Sequence, residues 1–487
     1  MNRNPLLRTD VYKLGHMQQY RPGTTKVYSY LMARSTKNFT DTLFFGLQYY
    51  LKMYLQQPIT LEDVEQFYVF YQQILGTEAP ESVRKKIQAL YDLGYWPVQI
   101  RAVPEGSVVP NRNVLMTITN THPDFYWCVG FLESLLLKVW YPSTVATCSM
   151  AYRERLARAF LRTCPDASVK MPFMVHDFGY RGDSSEESAE ISGAAHLVNF
   201  SGSDTIVALA AIAAAYPPRL GQDAGQLMQS VPASEHSVMC SFGRDNELEA
   251  FRHMLRTYPT GFVSIVSDTF NVYTVLTDFC AQLHDDIMQR DGCTVFRPDS
   301  GDPELVICGD PAAPAGSPQR LGCLRLLDAE FGHTVNAQGF KELNPHVGLI
   351  YGDGMYLARY DRILTRMAEM GYAAGNLVIG VGGILRYHTR DTLGFAIKAT
   401  YIEGEDGAQD IEKDPITDPG KKSHKGRLRL DCDNNEWHTT DQCTLEQEHG
   451  GMLRLVYENG NTVNPVSFQT VRENASAGLQ AKMLRYQ

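Results

Sequence analysis

The chain has 487 residues, more than one hydrophobic core usually serves, so two domains are expected. Its formal net charge of -10 argues against nucleic acid or a membrane surface as partner, because both attract proteins with a basic face. Ten cysteines without a Cys-x-x-Cys pair predict neither a zinc site nor a disulfide framework. The first twenty residues lack the apolar core of a signal peptide, so a cytoplasmic protein is predicted.

The two terminal parts of the chain, residues 1–148 and 386–487, predict one mixed α+β domain. The amino-terminal part predicts a strand at 26–32, helices at 43–55 and 61–75, and a strand region at 98–119. The carboxyl-terminal part predicts antiparallel strands at 395–401, 426–430, 452–458 and 462–468, with a hairpin turn at Asn459-Gly460. The alanine-rich run 206–216 is too short to span a bilayer, and it predicts a helix capped by the residues 202–205.

Residues 149–385 contain six short apolar runs that each end in Asp, Arg or Gly. The runs lie at 173–175, 197–200, 263–266, 295–296, 349–350 and 377–379. Such runs are typical of strands buried on both faces, and stretches with helical spacing, such as 246–255 and 360–370, alternate with them. The pattern predicts an irregular (β/α) barrel of parallel strands, with 309–322 as a surface insertion. Ligands of such folds bind at the carboxyl ends of the strands, where the polar residues lie.

Glycines and charged side chains at these strand ends predict a site for a phosphorylated ligand. Gly352-Asp353-Gly354 and Gly380-Val381-Gly382-Gly383 would let backbone N–H groups approach a phosphate, although glycine also simply ends strands. Arg297 and Asp299 lie on the same side of their strand, where the guanidinium could clamp a diphosphate and the carboxylate could bind ribose or help hold magnesium. An Arg–Asp pair that satisfies only itself is the alternative. Arg181, Asp268 and Asp353 add a further cation and further carboxylates.

Two other features have both a structural and a functional interpretation. His236 follows Glu235 in a small, polar loop, and a lone histidine of this kind is more often structural than chemical. His176, beside Asp177, is the histidine that we expect to be structural, held by its neighbouring carboxylate. The basic run 413–427 is expected to be a solvated loop, with attraction of a polyphosphate as the alternative.

These motifs make the chain resemble the nicotinamide phosphoribosyltransferases, which are type II phosphoribosyltransferases. The segments that carry the resemblance are 176–182, 202–205, 231–237, 297–302, 352–354 and the basic run from Lys413, and the similarity runs over nearly the whole chain. The resemblance implies transfer of a phosphoribosyl group from phosphoribosyl pyrophosphate to nicotinamide, which gives nicotinamide mononucleotide and pyrophosphate. It also implies Mg²⁺, ATP as a facultative co-substrate that phosphorylates His236, and a homodimer with its active sites at the subunit interface.

The resemblance also implies a role for individual residues. His236, Arg297 and Asp299 would be catalytic, and Asp268 would lie in the substrate site. Arg181 and Arg297 would hold pyrophosphate and Asp299 would bind the ribose, with Gly352, Asp353 and Gly383 around the 5′-phosphate end. The nicotinamide ring would stack between Phe178 and Tyr12 of the partner subunit, with Asp204 accepting the carboxamide N–H. The phosphate entrance would be lined by Arg34, Arg390, Lys398 and Lys413.

Some details depart from the family pattern, and other functions compete. Val381 stands where the family tends to have a small polar residue, the segment 384–389 is one residue short, and the insertion 309–322 is unusual. A nicotinate phosphoribosyltransferase is the nearest rival, but an anionic Asp204 would repel nicotinate and accept a hydrogen bond from an amide. A homologue that binds without turnover is another rival, but it would have no need to keep all four of the residues His236, Arg297, Asp299 and Asp204. A barrel aldolase or isomerase would need a strand-end lysine, and none of the six runs ends in one.

Overall fold

The computed structural model describes residues 4–217, 227–418 and 421–485. The chain divides into two compact units. The first contains the described parts of Met1–Thr147, Ala210–Gly221 and His388–Gln487, and the second those of Cys148–Leu209 and Gln222–Tyr387. The sequence-based division, 1–148 with 386–487 against 149–385, differs in the described residues 148, 210–217 and 386–387, which it puts in the other unit.

The strands that the structure describes are short. In chain order they are β1 Lys26–Met32, β2 Asp41–Leu43, β3 Val98–Ala102, β4 Val108–Pro110, β5 Val114–Asn120, β6 Val175–Asp177, β7 Thr260–Val266, β8 Asp291–Arg297, β9 His333–Val335, β10 Lys341–Leu343, β11 Val347–Tyr351, β12 Leu377–Val381, β13 Ala396–Gly404, β14 Gly407–Asp410, β15 Arg429–Asp433, β16 Glu436–Thr440, β17 Arg454–Glu458 and β18 Asn461–Thr462.

The α-helices range from single turns to the long helices α6 and α18. They are α1 His16–Gln19, α2 Leu47–Tyr50, α3 Leu61–Leu75, α4 Glu81–Leu93, α5 Trp127–Leu136, α6 Trp140–Thr163, α7 Glu186–Leu197, α8 Val207–Ala215, α9 His236–Cys240, α10 Glu247–Thr257, α11 Val272–Thr274, α12 Cys280–Met288, α13 Pro303–Cys308, α14 Pro318–Phe331, α15 Leu357–Glu369, α16 Arg390–Leu393, α17 Leu445–His449 and α18 Phe468–Arg485. None of the helices in the described ranges has both the length and the apolar character that crossing a bilayer requires.

The first unit is built on an antiparallel sheet that combines both terminal parts of the chain. Its strand order is β14-β13-β1-β5-β3-β17-β18, and every pairing is antiparallel. The predicted hairpin at its edge is confirmed, because Asn459 and Gly460 have φ of 48° and 84° and join β17 to β18. Helix α18 is held at its carboxyl end by Arg485, whose Nη2 lies 3.0 Å from Oδ1 of the buried Asp41.

The second unit contains a parallel sheet with the strand order β6-β12-β11-β8-β7. Helices lie between consecutive strands in the chain and make the crossovers that parallel pairing requires. The strands are apolar because both faces are covered; Val263, Ile265, Leu377 and Ile379 are fully buried. The carboxyl ends of all five strands therefore lie along one edge of the sheet.

Isolated parallel bridges connect the two outer strands of this sheet. Ser203 bridges to Asp177 in β6, and Gly202 bridges to Gln229. Ala233, four residues after Gln229, bridges to Ser264 in β7. The sheet is thus curled, and its irregular side is completed by short segments rather than by regular strands. The predicted irregular (β/α) barrel with a second α+β unit is confirmed as the fold class.

Several predicted elements are wrong in part. Of the run 173–175, only Val175 belongs to a strand, β6, because Phe173 ends a 3₁₀ helix. The run 197–200 is no strand, since Leu197 ends helix α7; a helix buried on all sides has the same apolar sequence as a buried strand. The predicted helix 43–55 begins only at Leu47, after Gly46 with φ of 97°, and continues as a π-helix over Leu51–Leu55. The predicted strand 462–468 contains only the end of β18, and Phe468 already begins helix α18.

Candidate functional site

A cavity of about 380 Å³ opens at the carboxyl edge of the parallel sheet. Its lining side chains follow β6, β8 and β11 or lie in the bridge segment beside β6. The lining residues are Phe178, Tyr180, Arg181, Asp204, Thr205, Arg297, Asp299, Gly352 and Asp353. The structure thus brings together seven residues that the sequence proposed for the site; Tyr180 and Thr205 are additions.

The ring of Phe178 lies against two glycine backbones. A β-carbon added at Gly380 would lie 2.1 Å from Cδ2 of Phe178, and one at Gly352 would lie 3.3 Å from the same atom. The backbone N–H of Phe178 donates to the carbonyl of Val381 at 3.0 Å. Gly380 is therefore needed for close approach of an aromatic ring, a reason that neither predicted interpretation, phosphate binding or the end of a strand, contained.

Asp268 connects His236 to the strand end that carries Asp299. Its Oδ1 lies 3.2 Å from Nε2 of His236, and its Oδ2 accepts the backbone N–H of Asp299 at 2.9 Å. The carboxylate is 4% exposed, whereas the imidazole, at the start of helix α9, is 48% exposed. His236 is thus an accessible side chain on a buried, fixed partner rather than a core histidine.

Arg297 is held at the same strand end through its backbone and its guanidinium. Its backbone N–H donates to Oγ of Ser267 at 3.1 Å, and its Nη2 donates to the carbonyl of Ser234 at 3.0 Å. Arg297 and Asp299 make no ion pair with each other among the described contacts, so both remain available to a ligand. The alternative of a self-satisfied pair is not what the structure shows.

The carboxylates around the cavity repel one another. Burial raises the pKa of Asp299, and the negative charges of Asp268 and Asp353 raise it further, while Arg297 and His236 oppose the shift. A ligand or ion that brings positive charge to this edge would relieve the repulsion.

Asp204 is fixed at the side of the cavity next to β6, because the preceding residue, Ser203, bridges to that strand. Its backbone N–H donates to the carbonyl of Asp177 at 3.0 Å, and the hydroxyl of Ser230 donates to its Oδ1. The side chain therefore presents an oriented carboxylate to the cavity. Nothing in the sequence indicated that Ser230 contacts Asp204; it was marked only by its position shortly before His236.

His176 is buried, but the predicted reason is wrong. Its ring lies against Gly202, where an added β-carbon would be 2.5 Å from Cδ2 of the histidine. The neighbouring Asp177 binds Arg386 and the backbone N–H of Gly179 instead. Burial lowers the pKa of His176, as expected for a neutral structural imidazole.

The remaining predicted residues lie outside the lining set. Gly383 begins a 3₁₀ turn, Gly383–Leu385, and lies beside Gly182, where an added β-carbon would be 3.1 Å from its Cα. Tyr12 belongs to the first unit and is 62% exposed, with Nζ of Lys13 5.3 Å from its ring centre.

Two of the four predicted entrance cations, Arg34 and Lys413, act electrostatically on a third, Lys398, in the first unit. Burial lowers the pKa of Lys398; Glu133 opposes this, and the positive charges of Arg34, Lys413 and Lys13 lower the pKa further. Arg34 donates through Nε to the carbonyl of Gly394 at 3.0 Å. Lys13 was missed by the sequence analysis. The fourth, Arg390, pairs with its neighbour Asp391 at 2.7 Å.

Comparison with protein-family models gives two matches. Residues 173–461 match the model of the nicotinate phosphoribosyltransferase (NAPRTase) family, and residues 4–100 match the nicotinamide phosphoribosyltransferase N-terminal domain. The first match covers more than half of the chain. The two models together include the strand ends, the cavity and the amino-terminal strand.

Curated relatives are similar over nearly the full length. A nicotinamide phosphoribosyltransferase of Acinetobacter baylyi is 38% identical over 502 residues, covering 98% of both chains. One of Xanthomonas campestris pv. campestris is 39% identical over 487 residues, covering 97% of this chain and 98% of the relative. One of Mycoplasma pneumoniae is 33% identical over 447 residues, covering 87% and 95%.

Solved structures share the fold at low identity. A nicotinate-nucleotide pyrophosphorylase from Pyrococcus furiosus has a TM-score of 0.57 with 16% identity, covering 99% of this chain and 97% of that one. Human nicotinic acid phosphoribosyltransferase has a TM-score of 0.54 with 16% identity, covering 97% and 94%. The chain belongs to the nicotinate phosphoribosyltransferase family of enzymes, and its amino-terminal domain and full-length relatives place it with the nicotinamide phosphoribosyltransferases.

Proposed function

We propose that the protein transfers the phosphoribosyl group of phosphoribosyl pyrophosphate to nicotinamide in NAD salvage. The observation that carries the proposal is the grouping of Asp204, Phe178, Arg181, Arg297 and Asp299 around one cavity. The Phe178 ring and the Asp204 carboxylate match the pyridine ring and the amide of nicotinamide. The Asp299 carboxylate matches the ribose, and the two guanidinium groups match the diphosphate. The names of the full-length relatives support the same reaction.

The proposed step forms a bond between the ring nitrogen of nicotinamide and C1′ of the ribose while the bond from C1′ to pyrophosphate breaks. The electron pair of the broken bond leaves with pyrophosphate, and positive charge develops on the ribose. Arg181 and Arg297 would stabilise the leaving group, and the Asp299 carboxylate would stabilise the cationic ribose. The backbones of Gly352, Asp353 and Gly383 would lie around the 5′-phosphate end.

Magnesium fits this site only together with its substrate. Among the described residues, no three His, Cys, Asp or Glu side chains are arranged to hold a metal by themselves. Asp299 and Asp353 nevertheless line the same cavity and repel each other, so they could share an ion with the diphosphate oxygens. Bound in this way, Mg²⁺ would neutralise charge on the leaving pyrophosphate.

Nicotinamide is preferred to nicotinate in this proposal because of Asp204. A carboxamide can donate its N–H to the carboxylate that Ser230 orients, whereas the carboxylate of nicotinate would face a like charge at close range. We propose further that ATP phosphorylates His236: a nitrogen of the imidazole would form a bond to the γ-phosphorus of ATP while the bond from that phosphorus to ADP breaks and ADP leaves. The accessibility of the imidazole and its pairing with the buried Asp268 support this role, since such a carboxylate can stabilise the imidazolium that forms during phosphoryl transfer.

The proposal includes a cytoplasmic homodimer with two shared sites. Tyr12 of the partner subunit would cover the face of nicotinamide opposite Phe178, and its 62% exposure in the single chain supports a partner contact. The cationic group of Arg34, Lys398 and Lys413, with Arg390, would line the phosphate entrance.

The test is turnover by the purified protein with phosphoribosyl pyrophosphate and Mg²⁺, with nicotinamide or nicotinate, and with or without ATP. We expect nicotinamide mononucleotide to form, and we expect ATP to increase its yield. ATP radioactive in its γ-phosphate should label the wild-type protein but not His236→Ala. Preferential turnover of nicotinate would overturn the substrate assignment. Turnover of neither would favour a binding protein that has lost catalysis.

A further inference from the structure

Arg386 contacts both ends of the loop that carries three cavity side chains. The loop, 177–183, runs from the end of β6 through Phe178, Tyr180 and Arg181. Nη2 of Arg386 lies 2.7 Å from Oδ2 of Asp177, and Nε lies 3.0 Å from Oδ2 of Asp183. The three charged side chains are at most 1% exposed, so one buried guanidinium closes the loop.

Further contacts fix the backbone between these two points. The other oxygen of Asp177, Oδ1, accepts the N–H of Gly179 at 2.8 Å. A β-carbon added at Gly179 would lie 2.6 Å from Cζ of Arg386, so the guanidinium lies directly against this backbone. Asp183 also accepts the hydroxyl of Ser192 at 3.1 Å. The loop thus has little freedom to move Phe178 or Arg181 away from the cavity.

Both carboxylates remain partners of the same cation. Burial would raise the pKa of Asp177, but Arg386 and the contacts around it hold this pKa below its ordinary value. Buried ion pairs add little to stability because desolvation offsets their attraction, whereas removal of one partner leaves a buried charge. The arrangement is therefore better suited to fixing a geometry than to raising stability. Arg386 lies in the segment 384–389, where the chain departs from the family pattern.

We propose that Arg386 is a positioning residue, which sets the place of the Phe178 ring for nicotinamide and of the Arg181 guanidinium for pyrophosphate. It does not touch either substrate itself. The proposal rests on the proposed function for the identity of the two ligands. Its geometric part, that Arg386 holds the 177–183 loop, is independent of that function.

The experiment compares Arg386→Gln, Arg386→Lys and the milder Asp183→Asn with wild type. Steady-state kinetics give kcat and separate KM values for the two substrates, and amide hydrogen exchange reports on the loop without any substrate. We expect Arg386→Gln to raise both KM values by about 10-fold to 100-fold, as for a displaced binding group. Exchange at 178–182 should become faster. Arg386→Lys, which keeps the charge but lacks the fork, should restore part of the loss.

Arg427→Gln is the matched control. Arg427 also bridges two carboxylates, Glu448 at 3.3 Å and Glu403 at 3.4 Å, and is 9% exposed, but it belongs to the first unit. It should lower the melting temperature without changing either KM or the exchange of the loop. If Arg386→Gln and Asp183→Asn, like this control, change neither KM value nor the hydrogen exchange of the loop, the proposal is overturned. If wild type turns over no nicotinamide, the proposed function fails, and the exchange measurement alone decides whether Arg386 holds the loop.

Discussion

The two oxygens of Asp268 bind different partners: Oδ1 lies 3.2 Å from Nε2 of His236, and Oδ2 accepts the backbone N–H of Asp299 at 2.9 Å. Asp268 ends the short segment after β7, and Asp299 follows the neighbouring strand β8. One buried carboxylate therefore orients the proposed phosphate acceptor and the proposed ribose-binding strand end together. A change at Asp268 can be designed to disturb the first partner and spare the second.

Asp268→Asn is expected to separate these two roles. An amide oxygen can still accept the Asp299 N–H, but the charge that stabilises an imidazolium at His236 is lost. Loss of one charge-assisted hydrogen bond of about 1.5 to 3 kcal/mol corresponds to a decrease of about 10-fold to 100-fold in ATP-dependent phosphorylation of the protein. Labelling with ATP radioactive in its γ-phosphate measures this rate.

The matched control is Glu330→Gln, because Glu330 pairs with Nδ1 of His284 at 2.9 Å in the same unit. It should label at the wild-type rate. Wild-type labelling of Asp268→Asn would show that the Asp268–His236 pair has no part in phosphorylation.

Gly380→Ala should displace the Phe178 ring. The added methyl group would lie 2.1 Å from Cδ2 of Phe178, too close for any side chain to tolerate. Overpacking of this kind typically costs about 1 to 3 kcal/mol. We therefore expect a lower free energy of unfolding in urea and a KM for nicotinamide raised by roughly 10-fold or more, since about 1.4 kcal/mol of lost binding is a factor of ten.

Gly348→Ala tests whether any alanine in this sheet has the same effect. Gly348 lies in the adjacent strand β11, and its added β-carbon would meet only Val295 and Cys293, at 3.3 and 3.4 Å. Its KM for nicotinamide should stay at the wild-type value. Equal kinetics for the two variants would mean that the ring position does not matter for nicotinamide.

The fold was predictable wherever the local pattern of apolar and polar residues follows from the burial of the segment. Four of the six predicted runs lie in strands of the parallel sheet and a fifth, 173–175, leads into β6, because burial on both faces demands continuous apolar sequence. The strand predicted at 197–200 was wrong for the same reason, since the buried end of helix α7 also has a continuous apolar sequence. Helix α18 was missed because its anchor, the contact of Arg485 with Asp41, joins residues 444 positions apart.

The site was predictable in residue type but not in its contacts. Polar residues after apolar runs pointed to one edge of the sheet, and five of them line one cavity together with the predicted Phe178 and Gly352. What holds them was invisible, because Arg386 lies 203 positions from Asp183 and nothing local marks the pair. The same holds for Asp268 beneath His236, which the sequence offered only as an additional carboxylate.

Asp204→Asn should weaken discrimination between nicotinamide and nicotinate. The neutral amide no longer repels a ligand carboxylate, and it can donate an N–H to it. We expect the ratio of kcat/KM for nicotinamide to that for nicotinate to fall by about 10-fold to 100-fold, the range for one hydrogen bond to a charged group of about 1.5 to 3 kcal/mol. Competition of the two bases for limiting phosphoribosyl pyrophosphate measures the ratio directly.

Ser230→Ala serves as the comparison for Asp204→Asn. It removes the hydroxyl that orients Oδ1 of Asp204 but keeps the charge. It should lower turnover of nicotinamide and retain the preference for it. If Asp204→Asn keeps the wild-type ratio, the preference must reside in another residue.

Glu247 should make the protein less stable as the pH rises. It is 4% exposed at the start of helix α10, and its Oε1 has no hydrogen-bond partner among the described residues. Burial raises its pKa from 4.5 to about 6; Arg244 opposes the shift and the negative charge of Asp268 adds to it. The folded state therefore holds its proton at a pH where the unfolded state has lost it. Stability from this group is greatest below the unfolded pKa and declines as pH rises through the folded pKa.

Glu247→Gln removes this dependence. Near pH 7.5 the variant should exceed wild type in free energy of unfolding by about 1 to 2 kcal/mol, the equivalent of the pKa difference, and near pH 4.5 the two should nearly coincide. Urea unfolding at both pH values and near pH 6 measures the change. Glu249→Gln, at a half-buried position of the same helix, should show no such pH-dependent gain, because the contact with Arg256 lowers the pKa of Glu249. A constant difference at all three pH values would mean that packing, not the charge of Glu247, sets its effect on stability.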